Sequence, residues 1–361
     1  MPTTGTQGSG RTISIGVNSY SCRCAGFVLQ KEAIVDELIR QLTETYGPSG
    51  FEETIRSVLR DLVAPLADEV RVTPLGSLVA VRRGTGNGRR IMLAAHMDEI
   101  GAMVTYVDEK GFLRFTPIGG VSPLTCLGAR VRFENGTLGV IGSEKREDPN
   151  KVPTFEQLYI DVGATGRDDC PVRVGDAAVF ERPFAVQGRR RVAKAMDDRI
   201  GCAVLVEMLR RLERTPHEVH FVFSVQEETT LSGARTAAYG IEPDMAIAVD
   251  VTGTGDTPES RPMAVELGKG PAVKVQDAGM IAHPTVREWL VHAAEAAGVP
   301  YQMEVLERGT TDAAAMQLVR AGVPSGCLSI PCRYVHTPSE MVDGEDVEGA
   351  VRILLQALQM V

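Results

Sequence analysis

The residues of this chain that could do chemistry are far apart in sequence but stand at equivalent places. His96-Met97-Asp98 follows the strand pattern over 91–95, Glu227-Glu228 follows 219–225, and Asp250 follows 245–249. Asp197-Asp198 precedes the helix pattern that starts at Ile200, and Tyr334-Val335-His336 follows a strand ending at Ile330. Two histidines among several carboxylates, with no suitably placed thiolate, suit Zn²⁺, Co²⁺ or Mn²⁺ better than Mg²⁺ or Ca²⁺. The carboxylates outnumber what one tetrahedral ion uses. That favours two ions sharing a bridging aspartate and acidifying a water between them. One carboxylate must then stay unligated to take the proton of that water. Of the neighbours Glu227 and Glu228, one can coordinate while the other faces the water.

Each member alone has a plainer reading. His-x-Asp at a strand end is commonly a local hydrogen-bonded pair. Adjacent acids such as Asp197-Asp198 commonly mark a helix N-terminus, where the dipole favours them, and Glu227-Glu228 could be a solvated loop. Coincidence of all five at element junctions is harder to explain this way, because open α/β sheets gather ligands at the carboxyl ends of their strands. His217, His220, His283 and His292 read as structural. Cys327, Cys332 and His336 faintly suggest a zinc knuckle, but no fourth ligand has matching spacing, and the thiols read as small buried apolar groups.

The elements that must position these residues follow from periodicity. Ile34, Leu38 and Leu42 make a helical stripe over 32–46, broken by Gly47-Pro48-Ser49-Gly50. Ser49 and Glu52 stand in capping-box spacing before a second helix carrying Ile55, Val58, Leu59 and Leu62. Strands are expected over 77–81 and 91–95, the second apolar throughout, as for a strand buried on both faces. From Gly101 to about Pro183 short strands alternate with turns and helical periodicity nearly vanishes. Beyond it helix and strand alternate to the end. The pattern predicts an α/β fold, a mostly parallel sheet flanked by helices, with a small β-rich insertion. The division expected is a disordered extension over 1–27, a first α/β part over 28–100, the insertion over 101–184 and a second α/β part over 185–361.

Composition narrows the partners. The 361 residues suggest two domains or one with a large insertion. Lys plus Arg number 38 against 47 Asp plus Glu, a formal charge of −9, which argues against nucleic acid as a partner. Seven scattered cysteines read as reduced thiols of a cytoplasmic protein. No run approaches the ~18 apolar residues of a membrane helix. The acid-poor, hydroxyl-rich start carries few cations and no clear amphipathic period, so it reads as an extension or an upstream start rather than a transit peptide.

The ordered set Gly47-Pro48-Ser49-Gly50, Ala95-His96-Met97-Asp98-Glu99-Ile100-Gly101, Lys194-Ala195-Met196-Asp197-Asp198-Arg199, Val225-Gln226-Glu227-Glu228, Val249-Asp250-Val251-Thr252 and Arg333-Tyr334-Val335-His336 resembles the M42 family of dinuclear metalloaminopeptidases. These are the tetrahedral aminopeptidases, also catalogued as glutamyl aminopeptidase-like or endoglucanase-like. The resemblance runs from about Val28 to Val361. It implies a dinuclear zinc exopeptidase-like fold with an inserted PDZ-like dimerisation domain, and release of the N-terminal residue of peptides. It implies two divalent ions per subunit, zinc or cobalt: His96 and Asp250 on one, Glu228 and His336 on the other, Asp197 bridging. Glu227 would be the general base toward the bridging water, and Asp98 would hold the far nitrogen of His96. A homo-oligomer is implied, a dodecamer built from dimers. The chain departs from many relatives at Gly309-Thr310-Thr311-Asp312, where they read Gly-Gly-Thr-Asp, and at Gly253, where a histidine is common. A glycosidase reading would need two carboxyls flanking the bond and no metal, which leaves the histidines without a role.

Overall fold

The computed structural model describes residues 1–5, 35–146, 148 and 150–360. Most of the expected extension over 1–27 lies outside the described residues. Helical residues 35–44 (α1) and α2 (Glu53–Val63) lead into β1 (Glu69–Val72), β2 (Leu78–Arg82) and β3 (Arg90–His96). Then come β4 (Gly101–Val107), β5 (Leu113–Ile118), the short α3 (Pro123–Cys126), β6 (Arg130–Phe133), β7 (Leu138–Ser143), β8 (Leu158–Asp161) and β9 (Ala177–Phe180). The remainder is β10 (Ala185–Gln187), β11 (Arg190–Ala193), α4 (Met196–Arg211), β12 (Glu218–Ser224), α5 (Glu227–Thr230), α6 (Ser232–Ile241) and β13 (Met245–Thr252). It continues through β14 (Ala272–Gln276), α7 (Pro284–Ala297), β15 (Gln302–Val305), α8 (Asp312–Met316), β16 (Ser325–Arg333), β17 (Glu340–Asp343) and α9 (Gly344–Ala357).

Eleven strands form one sheet in the order β1-β2-β12-β3-β13-β16-β17-β11-β10, with β14 and β15 branching from β16. The expectation of a mostly parallel sheet is corrected here. The four central strands β12, β3, β13 and β16 are parallel, as is the branch pair β14–β15, but the remaining pairs on both sides are antiparallel. The reason is connection length. Helical crossovers link the central strands, whereas β1–β2 and β10–β11 are joined by short turns that can only reverse the chain.

The apolar run at the head of β3 splits by the period of two. Ile91, Leu93 and Ala95 face the layer of α1, α2, α4, α7 and α9, while Met92 and Ala94 face α6 and α8. The β-rich insertion is a closed six-stranded barrel, β4-β5-β8-β7-β6-β9, with its own apolar core around Phe115, Val131 and Phe133. Among the described residues no helix is long and apolar enough to cross a membrane.

The capping box is also corrected. Helix α2 starts after Glu52 without a side-chain cap. The Ser49 hydroxyl donates instead to the Asp98 carboxylate, and Glu52 Oε1 accepts from the Gly50 and Gln226 N–H groups at 2.6 and 3.2 Å. Both side chains are drawn off the helix into the site.

Candidate metal centre

All seven residues singled out from the sequence meet at one end of the parallel core. His96 is the last residue of β3 and Asp250 lies near the end of β13, its neighbour across the sheet. Asp197 sits just before the regular part of α4, with extended dihedrals and a cis bond to Asp198. Glu227 and Glu228 open α5, and His336 lies in the turn between β16 and β17. The turns are tight enough to force left-handed backbone at Ala195, Gln226, Tyr334 and His336, all non-glycine. Such conformations persist where surrounding contacts over-determine them.

Asp197 is the hub. Its Oδ1 lies 3.0 Å from His96 Nε2, and its Oδ2 lies 3.2 Å from His336 Nε2. Glu228 Oε2 is 3.2 Å from the same His336 nitrogen. Two triads result whose donor atoms all lie within 4.8 Å of one another: His96, Asp197 and Asp250, and Asp197, Glu228 and His336. Glu227 belongs to neither, but its Oε2 is 3.8 Å from His96 Nε2. The neighbour of the hub has a different task. Asp198 caps α4 through Gly201 N–H at 3.0 Å and accepts the His96 N–H at 3.2 Å.

Asp98 does more than the sequence suggested. Nδ1 of His96 is 3.2 Å from its backbone oxygen and 3.6 Å from its carboxylate, so the carbonyl fixes the tautomer that frees Nε2. The buried carboxylate accepts the N–H groups of Glu227 and Glu228 at 3.1 and 3.2 Å, and so holds the first turn of α5. Glu340, which the sequence reading passed over, does the same elsewhere. Fully buried, it accepts the Asp197 N–H at 3.0 Å and the His336 N–H at 2.7 Å. Its one sequence signal is an acid four residues after His336. Behind Asp250, an enclosed Lys274–Glu304 pair at 2.9 Å takes the Thr252 hydroxyl at 2.6 Å. Cys327 and Cys332 are buried free thiols outside both triads.

The charge balance of the cluster shows what it can hold. Burial opposes the imidazolium of His336, but its bonds to Asp197 and Glu228 pull it up to about 12. Burial likewise opposes the charge on His96, and Glu227, Asp197 and Asp98 override it. Asp197 is desolvated, yet its two histidine partners hold it below the usual carboxylate range. The other carboxylates go the other way, Glu228 in spite of its bond to His336. Burial raises Glu227 and Glu228, and lifts Asp250 and Asp312 to about 7 and Glu340 to about 8. Glu228 Oε1 and Asp312 Oδ1 are buried with no hydrogen-bond partner. More negative charge is buried here than two imidazoles can neutralise, and divalent cations are the groups that would satisfy it. The nitrogen and oxygen donors present therefore fit two such ions.

The family model for M42 glutamyl aminopeptidase matches residues 76–353. A protein of Acetivibrio thermocellus assigned as an aminopeptidase is 47% identical over 332 residues, covering 91% of this chain and 100% of that one. Among solved structures, an aminopeptidase of the archaeon Desulfurococcus kamchatkensis is 41% identical with a TM-score of 0.87, covering 91% of this chain and 96% of that chain. The TET1 peptidase of Pyrococcus horikoshii, which can assemble into a tetrahedron or a large octahedral shell, is 30% identical with a TM-score of 0.81, covering 91% and 100%.

Proposed function

The chain belongs to the M42 glutamyl aminopeptidase family and is a peptide hydrolase of the exopeptidase type, and we propose that it releases N-terminal residues by dinuclear metal-assisted hydrolysis with Glu227 as general base. One observation carries this: two donor triads share Asp197, while Glu227 stands beside them uncommitted. His96 and Asp250 would hold one ion, Glu228 and His336 the other, and Asp197 would bridge. When bound, zinc or cobalt there supplies Lewis acidity toward the scissile carbonyl and lowers the pKa of water. The chain supplies the rest. Glu227 takes the proton of the attacking water and returns it to the leaving amine. Asp98 fixes the orientation of α5 and the His96 tautomer, so neither Glu227 nor His96 must reorganise during the step.

The likeness to the TET1 peptidase supports a reading of the assembly as well. The barrel within 101–184 exposes Leu124, Leu127, Leu138 and Val140, an apolar surface suited to pairing with a second copy. We read it as the dimerisation unit of a closed homo-oligomer, a dodecamer, whose enclosed sites admit peptides. Free thiols at Cys126, Cys170, Cys202, Cys327 and Cys332 fit the reducing cytoplasm.

The test is a panel of aminoacyl-p-nitroanilides assayed before and after chelation, with Zn²⁺ or Co²⁺ restored. Turnover that vanishes on chelation and returns with metal is expected. Turnover that survives full metal removal refutes the metal-assisted mechanism.

A further inference from the structure

His336 lies on the β16–β17 turn, far in sequence from the barrel, yet the barrel reaches it. Directly after β5 the chain runs through Gly119 and Gly120, and each glycine presses on one member of the same triad. A Cβ built on Gly120 would lie 2.3 Å from Nδ1 and 2.6 Å from Cε1 of His336. One on Gly119 would lie 2.9 Å from Glu228 Oε2 and 2.9 Å from Ile100 Cγ2, and Gly119 also has φ +73°. Gly120 has no left-handed backbone to explain it. Only the imidazole forbids a side chain there. At the backbone of the same residue, Glu340 accepts the N–H groups of His336 and Asp197.

We propose that Gly119-Gly120 of the inserted barrel and Glu340 of the sheet form a two-part seat that fixes His336, so that the barrel is a working part of the Asp197–Glu228–His336 triad. The proposal rests on the reading of that triad as a metal site. These are positioning residues: none supplies a donor, and each limits where the donors can go. None of His96, Asp197 and Asp250 is among the nearest neighbours of a Cβ on either glycine, so the ion of that triad should be indifferent to them. Residues that orient ligands commonly govern metal affinity by about 10–100-fold.

The experiment titrates the metal-free full chain with Co²⁺, following uptake by calorimetry and by the visible absorption of the bound ion. Wild type should take up two equivalents. Gly120→Ala should bind the first as wild type does and the second at least about tenfold more weakly, with far-ultraviolet circular dichroism unchanged. Gly166→Ala, a barrel glycine with no atom closer than 3.7 Å to the new methyl, should behave as wild type. Should Gly120→Ala fail to fold, Glu340→Gln, which adds no bulk, should weaken the second equivalent at least about tenfold, and the first as well, because Glu340 also holds the shared Asp197. Undiminished second-site affinity in the folded Gly120→Ala chain, or in Glu340→Gln where that is the variant read, overturns the seat. A wild-type chain that takes up only one equivalent overturns the two-ion reading, and the seat with it.

Discussion

Replacing Asp98 by asparagine isolates the task of a single buried carboxylate, because the shape is kept and no cavity opens. Oδ1 accepts the Glu227 N–H at 3.1 Å, and Oδ2 accepts the Glu228 N–H at 3.2 Å together with the Ser49 hydroxyl. An amide offers one acceptor oxygen and one NH₂ group. If the oxygen takes the Oδ1 place, the NH₂ can be satisfied by a reversed Ser49 hydroxyl but faces the Glu228 N–H donor to donor. If it takes the Oδ2 place, the NH₂ meets the Glu227 N–H and approaches His96 Nδ1. Either way at least one buried backbone N–H at the start of α5 loses its acceptor, which costs about 1–3 kcal/mol. The same turn carries Glu227, the proposed base, and a misplacement on the order of 1 Å costs about 10²-fold. Asp98→Asn should therefore lower turnover by roughly 10–100-fold at saturating metal. It should also lower the urea-unfolding free energy of the metal-free chain by about 1–3 kcal/mol. An Asp98→Asn chain with wild-type turnover and an unchanged unfolding midpoint would refute the argument that this carboxylate braces α5.

Other perturbations separate the remaining roles. Glu227→Gln should keep both ions, by elemental analysis after dialysis, while turnover falls roughly 10²–10⁴-fold. Metal uptake should release protons and tighten as pH rises through about 7 and beyond, since Asp250 holds its proton up to about 7 and His336 up to about 12. Calorimetry in buffers of differing ionisation enthalpy reads this directly. Asp312 ionises at about 7 in the fold against the ordinary aspartate value of 3.8, because burial disfavours its charge. Between those values the folded chain holds a proton that the unfolded chain has released, so Asp312 makes stability fall as pH rises through the window. Asp312→Asn should flatten that fall in urea titrations of the metal-free chain, and an unchanged slope would count against it. Glu99→Ala should cost about 3–5 kcal/mol, because it strands buried Lys194 and Arg199, now 2.6 and 3.3 Å from its oxygens.

Much of the fold was legible because the relevant signals are local. The apolar runs of β3 and β13 and the stripe of α1 announce themselves by period, and the loss of helical period after Gly101 marks the barrel. The strands missed were β1, β5, β10, β11, β14 and β17. Several of these lie at edges, where exposed faces blur the pattern: β10 is exposed throughout and β1 is nowhere fully buried. Sheet direction was misjudged for a related reason. Alternation of helix and strand reports the crossovers of β12, β3, β13 and β16 but not the short hairpins added on either side. Helix α8 is short and stops at Met316, and Arg320 and Gly322 just beyond it have left-handed backbone.

The site divides along the same line. A donor must be His, Asp or Glu at the mouth of a strand, so His96, Asp197, Glu228, Asp250 and His336 could be picked out by type and place. A brace has no required type. Ser49 and Glu52 imitate a helix cap, Glu340 sits among turn residues, and Gly119-Gly120 imitates a loop. Their meaning is set by partners distant in the sequence, 49 residues away for Ser49 and Asp98 and more than 100 for Glu340 and Asp197 or Glu52 and Gln226. Yet the braces decide whether the donors converge. Left-handed backbone at Gln226 and His336 is strained, and it is Glu52 and Glu340 that accept the N–H groups of those same two residues. The sequence thus displays the donors openly and encodes their convergence in residues that look ordinary until the chain is folded.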